Sequence, residues 1–240
     1  RRFGDTARVP YGSKSAETVT RYSRQIVRFL QTQNVKAIVI ACNTASAFAL
    51  ETIEKEIDLP ILGVVKPGAE MALKTTKNKR IGVIATEGTI HSGLYQRLIS
   101  QEDPEVSVYG QPCPLFVPLV EEGWTKDPVT EVVARRYLKE LLEKDIDTLI
   151  MGCTHYPLLR SLLRHVVGEK VTLVNPAYET AQALKRMLAE LNLERDPSED
   201  QEEGKYCFYA SDAVERLNEF ARRILPYEIV GTRQIPIEEY

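Results

Sequence analysis

The sequence contains a near-copy of one of its own supersecondary units, and this repeat restricts the possible folds more than any other feature. Residues 36–46 read KAIVIACNTAS and residues 147–157 read DTLIMGCTHYP. In each, a short apolar run ends in a cysteine, then small polar residues, then a helical pattern; Cys42 and Cys153 lie 111 positions apart. A second matched pair follows: ILGVVKPGAEMAL at 61–73 and VTLVNPAYETAQAL at 171–184, with Pro67 and Pro176 separated by 109. Proline suits the first turn of a helix, where its missing N–H costs nothing, and Asn175 is a good cap before the second. Two strand–turn–helix pairs repeated at nearly one offset predict two similar lobes related by a pseudo-twofold axis.

The apolar runs at 37–41, 61–65, 81–85, 106–109, 148–151 and 171–174 are rich in Val and Ile and do not alternate with polar residues. Such runs suit parallel strands covered on both faces. Amphipathic stretches at 15–32, 129–144 and 180–191 lie between or after them, and alternating strand and helix implies right-handed βαβ units. The predicted fold is α/β, with two Rossmann-like lobes of parallel-type sheets flanked by helices and an active site in the cleft between them. The first lobe is expected to comprise 1–67 plus 177–240, and the second 68–176, with Pro67 and Pro176 at the crossovers. In the tail, 194–203 reads as a solvated acidic loop, 205–210 as a strand, 212–223 as a helix and 227–231 as another strand. This tail is expected to return to the first lobe. Thr86 ends a strand 67 positions before Cys153, and the same distance before Cys42 falls upstream of Arg1. The first lobe is therefore expected to lack its opening strand here, with 1–3 forming the end of its second strand.

Composition narrows the chemistry. The 240 residues carry 31 Lys+Arg against 34 Asp+Glu, a formal charge of −3, which disfavours a strongly basic nucleic-acid binder. No apolar run approaches the length of a membrane span. Four cysteines without a CxxC pair suggest no disulfide framework and no zinc site, and reduced thiols in a cytoplasmic protein are expected. Neither GxGxxG nor GxxxxGK[ST] is present, so the phosphate cradles of nucleotide cofactors are missing. Cys113 and Cys207 stand outside the repeat and read as packing residues, His91 and His165 as surface residues, and Trp124 as packing near the cleft mouth.

Both repeated cysteines fall where a strand ends and a helix begins, the place where open α/β sheets bind ligands. A helix N-terminus offers free N–H groups and partial positive charge, which attract carboxylates and favour a thiolate. Taken alone, such a thiol is a nucleophile or a small buried residue. Two of them, equivalently placed on symmetric lobes, can face each other across a cleft and serve opposite faces of one carbon.

ACNTAS at 41–46, GCTHYPLL at 152–159 and GDTARVPYGS at 4–13 together resemble the motifs of the cofactor-independent amino-acid racemases of the aspartate/glutamate type. FVPLVEEG at 116–123 and ATEGTI at 85–90 also fit, so the resemblance covers nearly the whole chain. It implies a two-base racemisation in which Cys42 and Cys153 exchange the Cα proton, with His155 and Glu121 assisting the second thiol. It further implies substrate contacts from Tyr11, Gly12, Asn43, Thr44, Thr86, Thr89, Thr154 and His155, no cofactor and no metal. Glutamate is the expected substrate, D-glutamate for peptidoglycan the expected product, and a homodimer the expected assembly, with no nucleic-acid or membrane partner. The family's opening Asp-Ser-Gly has no counterpart in this sequence, so the acid that would assist Cys42 is not named. An aspartate-type racemase and a catalytically silent bilobed binding protein remain open alternatives at this point.

Overall fold

The computed structural model describes residues 1–195, 206–229 and 231–240. The chain opens with β1 (Arg2–Gly4) and, after the GDTARVPYGS loop, α1 (Ala16–Gln31). Ser15 caps α1 by accepting from the Thr18 N–H, which satisfies one of the donors a helix start leaves free. The first copy of the repeat follows as β2 (Ile38–Ile40), α2 (Asn43–Glu54), β3 (Ile61–Gly63) and α3 (Val65–Thr75). The chain continues through β4 (Arg80–Ala85), α4 (Glu87–His91), α5 (Leu94–Glu102), β5 (Ser107–Pro112), α6 (Phe116–Glu121) and α7 (Pro128–Glu143). The second copy comprises β6 (Thr148–Gly152), a 3-10 turn (Tyr156–Leu159), α8 (Arg160–Val167), β7 (Thr172–Val174) and α9 (Pro176–Glu190). The tail holds β8 (Phe208–Ala210), α10 (Val214–Ile224) and β9 (Arg233–Gln234).

Every ladder is parallel. The second lobe has one sheet of order β5-β4-β6-β7, covered on both faces as its unbroken apolar runs require. Ile81, Val83, Ala85 and Ile150 point to the side of α3 and α5, while Ile84, Leu149 and Met151 point to α6, α7 and α8. In the first lobe the ladders form two groups, β2-β3 and β1-β8-β9. Between β5 and β6 stands β4; between β1 and β2 no strand pairs with either among the described residues. Helix α1 spans both groups, with Val27 in the core of β2 and β3 and Phe29 edge-on to Tyr209 of β8.

Several sequence expectations shift. Strand β3 stops at Gly63 because Val64 already has helical angles, so α3 starts earlier and Pro67 falls within its first turn. Helix α9 begins at Pro176 with Asn175 as its cap, as the Asn-Pro pair predicts, and so takes in the residues before the amphipathic stretch at 180–191. The run 227–231 is not a strand over its described residues: Ile229 is buried beneath α10 against Phe208 and Ala221, and the strand lies beyond it at β9. Most of the acidic loop at 194–203 and Lys205 of the expected tail strand lie outside the described residues. The remainder of that strand is β8, which pairs with β1.

Candidate active site

The site is built at the carboxyl ends of β2, β4 and β6, where the two lobes meet. Cys42 is the cap of α2: its Sγ lies 3.5 Å from the Ala45 N–H. Burial pushes its thiol up, and the N–H groups of Ala45 and Thr44, with the Thr44 hydroxyl, pull it back. Cys153 follows β6 and is 8% exposed. Burial pushes its thiol up to about 12; the His155 N–H and the hydroxyl and N–H of Thr154 oppose this, while the charge on Cys42 adds to it. The two sulfurs therefore sense each other across the cleft, and negative charge on one disfavours it on the other. With burial raising both, the pair rests as two thiols, and a thiolate formed on one disfavours a second on the other.

His155 Nδ1 lies 3.8 Å from Cys153 Sγ, and its Nε2 lies 3.3 Å from Glu121 Oε1 at the end of α6. Burial lowers the imidazole below the ordinary histidine range, with Glu121 working the other way. The ring is thus neutral at neutral pH and able to accept a proton. Glu121 also meets Arg216 Nη2 at 3.3 Å, and the Phe220 ring lies 6.1 Å from the imidazole. Both partners come from α10, so the tail reaches across to the His155–Glu121 pair of the second lobe.

Three hydroxyls close the cleft on the other side. Thr44 Oγ1 lies 2.8 Å from Thr86 Oγ1 and 3.0 Å from Thr89 Oγ1, and Thr86 and Thr89 are 3.1 Å apart. Gly12 accepts at its carbonyl from the Gly88 N–H, 2.8 Å away. A Cβ on Gly12 would stand 2.5 Å from Thr86 Cβ, so only glycine permits this approach. Tyr11 is buried beside Cys42, and its hydroxyl donates to Asp5. Asp5 also accepts from Arg8 Nε at 2.9 Å and Ser211 Oγ at 2.9 Å. A cavity of about 370 Å³ opens beside Cys153, lined also by Asn43, Thr154, Met151 and Pro176.

All the residues singled out from the sequence meet at this place. Gly12 does so through its backbone, and Tyr11 through a ring whose hydroxyl is already committed. The sequence reading did not single out Asp5, Tyr95, Arg216 or Phe220. Asp5 lies inside a quoted motif, but nothing in its spacing shows that it anchors Tyr11; Arg216 and Phe220 lie on a helix without a repeat partner. Among the described residues no group of three or more His, Cys, Asp or Glu side chains could hold a metal, and no helix is long and apolar enough to cross a membrane.

Two lobes of parallel sheet with a thiol from each at one cleft define a class, and the comparisons agree with it. The profile of the Asp/Glu/Hydantoin racemase family matches residues 2–184; the chain belongs to this family and is an isomerase of the amino-acid racemase class. Its relatives are more particular. It is 46% identical over 236 residues to the glutamate racemase of Geobacter metallireducens, covering 98% of this chain and 86% of that one. Among solved structures, a glutamate racemase isoform from Bacillus anthracis superposes with a TM-score of 0.92 at 36% identity, covering 97% of this chain and 86% of that one. The Francisella tularensis glutamate racemase, solved with D-glutamate, gives 0.91 at 33% identity, covering 99% and 88%.

Proposed function

We propose that this protein interconverts L- and D-glutamate by moving the Cα proton between two thiols, without a cofactor. The thiolate of one cysteine takes the proton from one face of Cα, its electron pair forming the new S–H bond. The other cysteine delivers its own S–H proton to the opposite face, and its sulfur is left as the thiolate. The roles exchange when the reaction runs backward. His155 takes the proton from Cys153 when that residue acts as base, and Glu121 steadies the resulting imidazolium. Asn43, Thr44 and Thr154, with the N-terminus of α2, receive the α-carboxylate. Thr86 and Thr89 line the cleft opposite Thr44, and Tyr11 and Gly12 shape its rim. Closing the lobes over substrate excludes water, which strengthens every charge interaction acting on a weakly acidic carbon.

The reading is carried by one observation: Cys42 caps α2 and Cys153 follows β6 at the equivalent strand-to-helix turns, and Asn43 beside the first and Thr154 beside the second line one cavity with Cys153. The names of the relatives supply the substrate. The same reading assigns the first lobe to 1–67 plus 177–240 and the second to 68–176. It also makes the protein a cytoplasmic homodimer that supplies D-glutamate to peptidoglycan synthesis.

The test is proton exchange in heavy water with the full-length gene product. Either enantiomer of glutamate should gain deuterium at Cα while optical rotation decays to zero. Exchange with aspartate but not glutamate would reassign the substrate, and binding without exchange would leave a silent bilobed binder. Sedimentation velocity reads the dimer.

A further inference from the structure

Tyr95 lies in the first turn of α5, in the second lobe, and is 4% exposed. Its hydroxyl donates to Asn43 Oδ1 at 2.7 Å, across the lobe boundary. Asn43 directly follows Cys42. The other end of the tyrosine reaches the second cysteine: a Cβ on Gly152, the residue before Cys153, would stand 3.3 Å from Tyr95 Cε2. Gly68 leaves room for the hydroxyl, since a Cβ there would stand 3.2 Å from it and 2.9 Å from Pro176 Cγ. The ring is therefore held against one cysteine turn while its hydroxyl holds the residue beside the other.

A carboxamide has two inequivalent ends, an accepting oxygen and a donating nitrogen. In this structure the Tyr95 hydroxyl donates to Oδ1, which leaves Asn43 Nδ2 with no partner among the described residues. Asn43 lines the cavity beside Cys153, so this free donor is available to a ligand there. A phenylalanine at 95 would keep the ring contacts but release the amide to rotate.

We propose that Tyr95 is a positioning residue: it fixes the Asn43 carboxamide with its N–H groups toward the substrate carboxylate and ties the two cysteine turns into one unit. This rests on the proposed function for the identity of the substrate, but not for the existence of the strut.

The test is a double-mutant cycle of Tyr95→Phe and Asn43→Ala in the full-length protein, read in both kinetics and urea unfolding. Tyr95→Phe should raise the KM for glutamate about tenfold, the scale of one hydrogen bond to a charged group, with kcat changed less than about threefold. In the Asn43→Ala background the same change should raise KM less than about twofold. Equal KM effects in the two backgrounds would overturn the proposal. So would a lowered urea midpoint with unaltered KM, because Tyr95 would then be only a core residue. If the parent protein exchanges no Cα proton, the proposed function fails, and the unfolding cycle alone decides the strut. In that case coupled midpoints support it, and additive midpoints refute it.

Discussion

Thr44, at the start of the helix that Cys42 caps, lies 2.8 Å hydroxyl to hydroxyl from Thr86, at the end of the second lobe's β4 strand. With Thr89 the two form a ring in which each oxygen has two neighbours. Thr44→Val removes the member that comes from the first lobe and leaves Thr86 and Thr89 to each other. The expected cost is about 1 kcal/mol of stability, the usual net value of a hydrogen bond, with a several-fold rise in KM. Urea unfolding and steady-state kinetics on the same sample check both.

Under the proposed reaction, Cys42→Ala and Cys153→Ala should each abolish racemisation while preserving the fold, since each would remove one of two proton carriers. Circular dichroism should match the parent, and turnover should fall by at least about three orders of magnitude, within the range a positioned acid–base group contributes. Full activity in either variant would end the two-thiol scheme.

His155 titrates below the ordinary histidine value because burial penalises its charged form. Under the proposed reaction the neutral ring accepts the proton, so the kcat of the direction in which Cys153 is the base should fall on the acid side, with its midpoint below about 6.5. Glu121 opposes this lowering. Glu121→Gln should therefore move that limb to still lower pH and reduce kcat. A pH–kcat profile in each direction reads it, and an upward shift would contradict the assignment.

Gly12→Ala would place a methyl group 2.5 Å from Thr86 Cβ. Shortening Thr86 to serine or alanine removes the second contact, 2.7 Å to Cγ2, but leaves the clash with Cβ, which only glycine at 86 relieves. The lobes should be forced apart, with a cost of about 1–3 kcal/mol from overpacking and a clear loss of kcat/KM. Gly12→Ala/Thr86→Ser should stay as impaired as Gly12→Ala itself.

Asp147 precedes β6 and ties the α3–β4 connection to it, accepting from the Thr76 hydroxyl at 2.6 Å and the N–H groups of Lys77 and Asn78 at 2.6 and 2.8 Å. Burial alone would raise this carboxyl, but these bonds and one from Thr148 outweigh it and hold it below its usual range. Its contribution is therefore present above the unfolded carboxylate value, near 3.9, and is lost as pH falls through the lower folded one. Asp147→Ala should cost about 1–3 kcal/mol at pH 7 and progressively less in acid. Urea midpoints at pH 7 and at about pH 3, below the unfolded carboxylate value, measure it.

Much of this arrangement is legible in the residues themselves. The repeat located β2, α2, β6 and β7 and brought Cys42 and Cys153 to equivalent turns, because buried parallel strands and helix starts leave strong local signatures. Contacts between distant segments leave none. Nothing around Tyr95 in the sequence marks it, and only the folded chain shows that its hydroxyl meets Asn43. Arg216 and Phe220 meet Glu121 and His155 for a similar reason: β8 carries the tail back to β1, and α10 follows it to the lobe boundary. Residues 227–231 misled because an apolar run reports burial, and Ile229 is buried by a helix rather than by strand pairing.

The two thiols do not have equal surroundings. Cys153 has an imidazole 3.8 Å away, whereas Cys42 has the hydroxyl and amides of its own helix start. Mirror-image substrates in water have the same standard free energy, so the equilibrium constant of their interconversion is one. Under the proposed reaction, kcat/KM must then be identical in the two directions, whatever the protein does to each sulfur. The lopsided environment can appear only as a compensating pair, a higher kcat matched by a higher KM for one enantiomer. Any substitution at His155 or Glu121 can redistribute that imbalance between the two constants, but their ratio must remain the same for both hands.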